Sequence, residues 1–329
     1  MTKLLRNYVP ALKYGAKITL DDLENAGVVT FGQVYWVDPT NGSDLNDGKT
    51  KDAAFATIAK AYATVTSGNH DVILLSANAA HVQTSMLDLT KSRVHFVGLG
   101  LRGGSLGMGA RARITMGDST VAADIALVKH TGVGNTFSGI KFDSSSTVAA
   151  SLYAIAEGGE YAIYNSCEFY KSSDLDDAGA AEIALNGDSA QFINCTIGSS
   201  ANITGDIRAN VICTGGIIAG KKLRDCYFEN CMFLAKADDT DKVFVYGANA
   251  TDVERSLTFK GCTFFNNPLS AGTPAAAIAF GSAQTQGAVF CDSNCAVVDV
   301  TVMGTTGQNI FVISQDGSTY ATAGLAVAA

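Results

Sequence analysis

Two clusters of carboxylates are the strongest candidates for chemistry. Asp176, Asp177 and Glu182 fall in "YKSSDLDDAGAAE" (170–182), and Asp238, Asp239 and Asp241 fall in "LAKADDTDK" (234–242). Grouped carboxylates can hold a divalent cation, or act as acid and base across a glycosidic bond. The bland reading is a pair of solvated loop tips. A third acidic stretch, "DPTNGSDLNDG", carries Asp38, Asn41, Asp44, Asn46 and Asp47. It lacks the spacing and the later Glu of a calcium loop. A turn network is therefore preferred there, with calcium as the alternative.

Other chemistries are poorly supported. His70, His81, His95 and His130 are scattered, and none sits in a Ser or Cys motif. His95 alternates within "RVHFVGLG" and reads as an outward strand residue. The Gly-rich "GLGLRGGSLGMGAR" (98–111) lacks the G-K-[ST] of a phosphate loop and is not followed by a helix pattern, so it reads as an inter-coil loop. Eight cysteines occupy positions 167, 195, 213, 226, 231, 262, 291 and 295. Their spacing matches no zinc knuckle, and nothing basic flanks them to stabilise thiolates. No metal and no cofactor is expected.

The 329 residues carry a formal charge of −8 with only 16% charged side chains. That balance argues against nucleic acid or an anionic membrane as the main partner. No run approaches the ~20 apolar residues of a membrane span. Arg6, Pro10, Lys13 and Lys17 interrupt any leader-like segment, so the expectation is a protein made in the host cytoplasm without a signal peptide.

The elements that would position the carboxylates come from a repeat. "FSGIKF" (from Phe137), "YNSCEF", "FINCTI", "FENCMF", "FKGCTF" and "DSNCAV" share a small or Asn residue before a central Ile or Cys. The central residues are Ile140, Cys167, Cys195, Cys231, Cys262 and Cys295, with steps of 27, 28, 36, 31 and 33 residues. A second strand-like run recurs in "AIAEG", "ALNG", "VFVYG" and "AIAFG". Loose periods of this size, with alternating β-branched and aromatic residues, indicate stacked β units. The expected fold is all-β: a right-handed, single-stranded parallel β-helix. At ~4.8 Å per coil, about eight coils between Asp71 and residue 300 make a rod roughly 40 Å long.

Within each coil, Gly139, Asn194, Asn230, Gly261 and Asn294 are types that tolerate a left-handed turn, and Ser166 is the exception. The central Ile and Cys residues should stack inside the rod as small core residues. The inter-repeat insertions, which hold both acidic clusters, should emerge on one face.

The stretch "YWVDPTNGSDLNDGKTKDAAFATIAKAYATV" (35–65), followed by "DVILLSANAAHV" and "VHFVGLGLRGG", resembles the N-terminal part of pectate-lyase-like right-handed β-helix proteins. The likeness covers roughly residues 34–105. It implies a short helix closing the first coil, and "AFATIAKAYATV" (54–65) has apolar residues at 55, 58, 62 and 65 to do so. It also implies that lyases on this fold use calcium-binding carboxylates with an Arg or Lys base. Here the family's R-x-P-x-x-R and G-H-G catalytic patterns are absent.

The resulting division is a docking arm (1–27), a lead-in strand and helix cap (28–70), the β-helix (71–300), and C-terminal strands and tail (301–329). The arm is basic and apolar, with Leu4, Leu5, Arg6, Tyr8, Val9, Pro10, Leu12, Lys13 and Tyr14 as its candidate contacts. It reads either as a strap along its own rod or as an anchor on another protein. Its wording "NYVPALKYGAK" is similar to the start of small tailed-phage head proteins. The leading expectation is a non-enzymatic virion protein on the capsid surface. It would be a decoration or cement protein, trimeric, and docked on the major capsid protein or another virion protein. The alternative is a tailspike-like glycan binder or polysaccharide depolymerase, a lyase or glycoside hydrolase, using the acidic loops.

Overall fold

The computed structural model describes residues 32–100, 111–118, 121, 123–146, 151–171, 179–199, 209–214, 217, 221–237, 240–267, 272–305 and 308–312. Three parallel sheets wrap around one core, as a parallel β-helix requires. Sheet A has ten strands, from β1 (Val34–Val37), β2 (Val72–Leu75), β5 (His95–Gly98), β8 (Thr136–Ser138) and β11 (Ile163–Asn165) onward to β26 (Ile310–Val312). Sheets B and C have eight each. Sheet B includes β9 (Ile140–Ser144), β12 (Glu168–Lys171), β15 (Thr196–Gly198) and β18 (Met232–Ala235). Sheet C includes β7 (Ala126–His130), β10 (Tyr153–Glu157), β13 (Ala181–Leu185), β16 (Ala209–Cys213) and β19 (Val243–Gly247). Strand stacking begins at β1, ahead of Asp71, because Val34–Val37 pairs directly with Val72–Leu75.

The rod is held by columns of like side chains. Phe96, Phe137, Tyr164, Phe192, Phe228 and Phe259 occupy one register position of sheet A. Their rings stack in near-parallel planes with centroids 4.5–5.2 Å apart. Strand spacing of ~4.8 Å sets that separation, so the backbone ladder itself enforces the ring stack.

Next to it, Cys167, Cys195, Cys231 and Cys262 are buried, and Cys295 is half-buried. Each thiol lies 3.2–3.4 Å from the carbonyl of the aromatic residue one coil earlier, from Phe137 through Phe259. Burial pushes the Cys167, Cys195 and Cys231 thiols well up, which keeps them protonated and inert.

The corner between sheets A and B turns on one left-handed residue: Gly139, Ser166, Asn194, Asn230 or Gly261. Two expectations need correcting. Ser166 adopts the left-handed conformation (φ 54°), and Asn294 does not. Ser166 is held by neighbours on both sides, with its N–H donating to Ile193 and its hydroxyl to Asn165. At the last coil, the Asn294 N–H instead donates to Asp292, giving a different turn. A second left-handed series, His70, Arg93, Gly134, Tyr161, Ser189 and Asp225, turns the chain into sheet A. It follows no residue-type pattern, so it was not legible beforehand.

The helix α1 (Ile58–Thr64) is shorter than 54–65, because Phe55 pairs as a bridge with Val37. Thr57 caps its start by accepting from the Lys60 N–H. Ile58, Ala61 and Val65 bury its inner face in the core. Lys91 holds its other end, donating from Nζ to the carbonyls of Tyr62, Ala63 and Val65. A cation on the last free carbonyls is the favourable end for the helix dipole.

Candidate functional site

The acidic lead-in loop is a turn network. Asp38 accepts from the N–H groups of Thr40 and Asn41 and from the Asn41 and Asn78 amides. Burial opposes its ionisation, but the Asn78 and backbone donors outweigh that and hold its carboxyl below the usual range. Asp44 accepts from Ala56 N, Thr57 N and the Thr57 hydroxyl, fastening the loop to the start of α1. Among the described residues, no group of three or more His, Cys, Asp or Glu could hold a metal ion.

The two acidic stretches both link sheet B to sheet C, β12 to β13 and β18 to β19, so they leave the same corner of the rod. Asp176, Asp177, Asp238 and Asp239 lie outside the described residues. Asp241 is exposed. Glu182 is not a loop residue: it sits on β13 and is 4% exposed.

Its position is unusual within its sheet. The register puts Leu127, Ala154, Glu182, Asn210, Phe244 and Ala277 at one level of successive coils. The four apolar members belong to the main core. Two adjacent coils therefore place a carboxylate and an amide where the others place hydrocarbon. Burying such groups is tolerable only with partners. Asn210 Nδ2 lies 3.2 Å from Glu182 Oε2 and also donates to the carbonyls of Ile197 and Leu234, which closes the corner between the sheets. Gly198 makes room, since a Cβ there would overlap the Asn210 amide and the Leu234 carbonyl.

Two lysines complete the site. Lys171, at the end of β12, is 1% exposed and donates to the Ser146 carbonyl at 2.9 Å. Lys242 is 2% exposed. Together with Lys236, Ser199 and Leu234, these groups line a small pocket. Its free volume of about 20 Å³ has room for roughly one water molecule. A buried carboxylate and two buried ammonium groups at a water-sized hollow can relay a proton or fix a small polar group. They cannot enclose a sugar ring.

A second polar cluster is wholly interior. His130, Asn135 and Glu157 are all 0% exposed, as is Tyr164. Asn135 Oδ1 accepts from Val94 N, so its Nδ2 faces His130 Nε2 at 2.9 Å. His130 Nε2 must therefore accept, and Nδ1 carries the proton that it donates to Glu157 Oε2 at 2.8 Å. Glu157 also accepts from the Tyr164 hydroxyl and the Gly159 N–H. Burial, with Glu157 next to it, raises the Tyr164 phenol well above its ordinary value. This cluster ties the sheet C to sheet A corner together and has no opening for a substrate. His95 faces outward from sheet A but is buried, with Nε2 3.0 Å from His70 Nδ1 and Nδ1 2.8 Å from the Thr136 hydroxyl.

No family model and no curated protein matches the chain. Solved structures do. A rhamnogalacturonan lyase superposes with a TM-score of 0.58 at 14% identity, covering 85% of this chain and 73% of that one. A pectin methylesterase from Aspergillus niger gives 0.56 at 13% identity, covering 87% and 85%. A pectate lyase gives 0.54 at 13% identity, covering 88% and 78%. At such identities the likeness is one of fold, the right-handed parallel β-helix, and extends to no side chain.

Proposed function

We propose that the chain is a carbohydrate-binding or carbohydrate-processing β-helix protein whose working surface is the corner between sheets B and C. The observation that carries this is the buried Lys171–Glu182–Asn210–Lys242 group at the root of the long acidic connections. The solved structures of similar fold are named as polysaccharide-processing enzymes, which supports the same reading. A glycan would lie over the connections that carry Asp176, Asp177, Asp238 and Asp239. Glu182 and Lys171 below them would hold a water or pass a proton at the bond being broken.

The test is a panel of neutral and uronate-bearing polysaccharides. New reducing ends report hydrolysis, ultraviolet absorbance of an unsaturated product reports elimination, and titration reports binding alone. Activity or binding that drops at least about tenfold in Glu182→Gln or Lys171→Met, with folding intact, is the expected result. A wild-type chain that neither binds nor cleaves any of them would overturn the proposal.

A second reading is a structural virion protein of a tailed phage anchored through residues 1–27, whose wording "NYVPALKYGAK" is similar to the start of small tailed-phage head proteins. Leu4, Leu5, Arg6, Tyr8, Val9, Pro10, Leu12, Lys13 and Tyr14 lie outside the described residues, so that reading stands on the sequence. Immunogold labelling of phage heads with antibody to the rod checks it.

A further inference from the structure

The outward face of sheet A changes character along the rod. From the fourth strand on, its outward positions are partly or fully exposed whether polar, as at Thr136, Gln191, Glu229 and Lys260, or apolar, as at Ile163, Ile193, Phe290 and Phe311. Over the first three strands the same positions hold Val34 and Trp36, Val72 and Leu74, then His95 and Val97. Val72, Leu74 and Val97 form a separate apolar cluster with Val34, Trp36 and Leu99 packed against it. These outward residues are also covered: Val72 is 0%, Leu74 1% and Val97 5% exposed. An outward sheet face without a neighbour does not reach such values, so a further layer lies over this patch, whereas the described outward residues of the later sheet A strands are partly or fully exposed.

We propose that the layer is the chain's own N-terminal segment, residues 1–31, packed across Trp36, Leu74 and Val97. Continuity is the first argument. The segment runs into Gly32, two residues before Val34, the first member of the patch. Gly32 is pressed against Asn69 and Asp71, where a Cβ would overlap the Asn69 carbonyl and the Asp71 carboxylate. The Gln33 N–H donates to that same carboxylate at 2.6 Å, so the segment departs from a fixed point beside the patch.

Composition is the second argument. Val28, Val29 and Phe31 come immediately before this point, with Leu4, Leu5, Tyr8, Val9, Leu12 and Tyr14 farther out. The competing stretch of the chain, 101–110, has four glycines among its ten residues and few side chains to offer. Reach is no obstacle, since 31 residues can span far more than three strands at ~4.8 Å each. The arm then serves first as a strap on its own rod, and an outside partner must compete with Trp36 and its neighbours for it.

Trp36 is the only tryptophan of the chain, so its fluorescence reads the patch directly. The full chain is compared with a chain lacking residues 1–31, and with a full-length Val28→Ser, Val29→Ser, Phe31→Ser variant in case the deletion does not fold. Circular dichroism verifies the fold in each. Uncovering should give a red-shifted emission and several-fold stronger acrylamide quenching in both. Unchanged emission and quenching in the two folded variants would overturn the proposal. So would quenching that rises instead in a Leu101→Ser, Leu106→Ser variant, which would assign the cover to 101–110. Neither readout depends on glycan activity, so the two proposals fail separately.

Discussion

Two corners of the same coil solve the same problem in opposite ways. Between sheets A and B the chain reverses on a single left-handed residue, and the side chains beneath are cysteines and aromatics. Between sheets B and C the connections are long, and the side chains beneath include Lys171, Glu182, Asn210 and Lys242. A one-residue turn leaves no backbone to anchor, so the core there can stay apolar. A long connection has loose carbonyls and amides that need partners near its roots. Lys171 bonding to Ser146, and Asn266 bonding to Ala237 and Gly272, serve that need. The lesson is that a buried polar group in a solenoid can be an anchor before it is a catalyst. Activity must then be tested apart from stability.

The sharpest way to break the contrast is to exchange the chemistry of the corners. Cys195→Asp puts an unpaired carboxylate into the apolar stack and should cost more than about 3 kcal/mol, read as loss of urea resistance. Glu182→Gln keeps an acceptor for the Asn210 amide and should cost no more than about 1 kcal/mol. Comparable costs at the two sites would show that the corners do not differ as described.

A smaller effect is expected from pH. Burial first, then the neighbouring His70, depresses the His95 pKa to about 4. The folded state thus binds fewer protons than the unfolded chain between that value and the ordinary 6.5. The His95 contribution is fully present above 6.5 and is lost as pH falls toward 4. Allowing for solvent screening, about 1 kcal/mol should disappear by about pH 5. Denaturation curves for the native chain and His95→Gln at neutral pH and about pH 5 check this, since the variant should show the flatter dependence. Burial also lowers the His81 pKa, which adds to the same trend in both chains.

The smallest effect sharpens the account of the tight corner. Asn230 holds φ 52° and donates its N–H to Lys260. Asn230→Ala should cost about 1 kcal/mol, and Asn230→Gly close to nothing, because only the Cβ opposes that conformation. Thermal unfolding of the two variants gives the difference.

Much of the tight corner was legible in the sequence. The recurrence of Asn or Gly before Cys, and of an aromatic three residues ahead of it, shows in the residue types alone. Ser166 was the exception by type, yet it turns like its neighbours because the pairing on either side leaves it no other path. The candidate site was half legible. Glu182 belonged to a visible acidic stretch, but its place on a strand, at the level of Phe244 and Ala154, depends on where the insertion stops. Lys171, Asn210 and Lys242 gave no signal, since a lone Lys or Asn at a strand end is ordinary on a surface. His130 sits in no motif and Tyr164 reads as one more aromatic of the repeat, so neither points to Glu157 before the coils are stacked.

The amino-acid sequence by itself determined the period, the parallel all-β solenoid, the ring and thiol columns and the helix that closes the first coil. These follow from local types repeated at a spacing that strand stacking amplifies. Only the tertiary structure decided which polar groups meet. Glu182 finds Asn210 across 28 residues, and His130 finds Glu157 across 27. Those meetings are set by register between coils, and register depends on how much of each connection is strand and how much is loop. Repetition writes the columns into the sequence, but the partner of a side chain that breaks a column is known only when the coils are stacked.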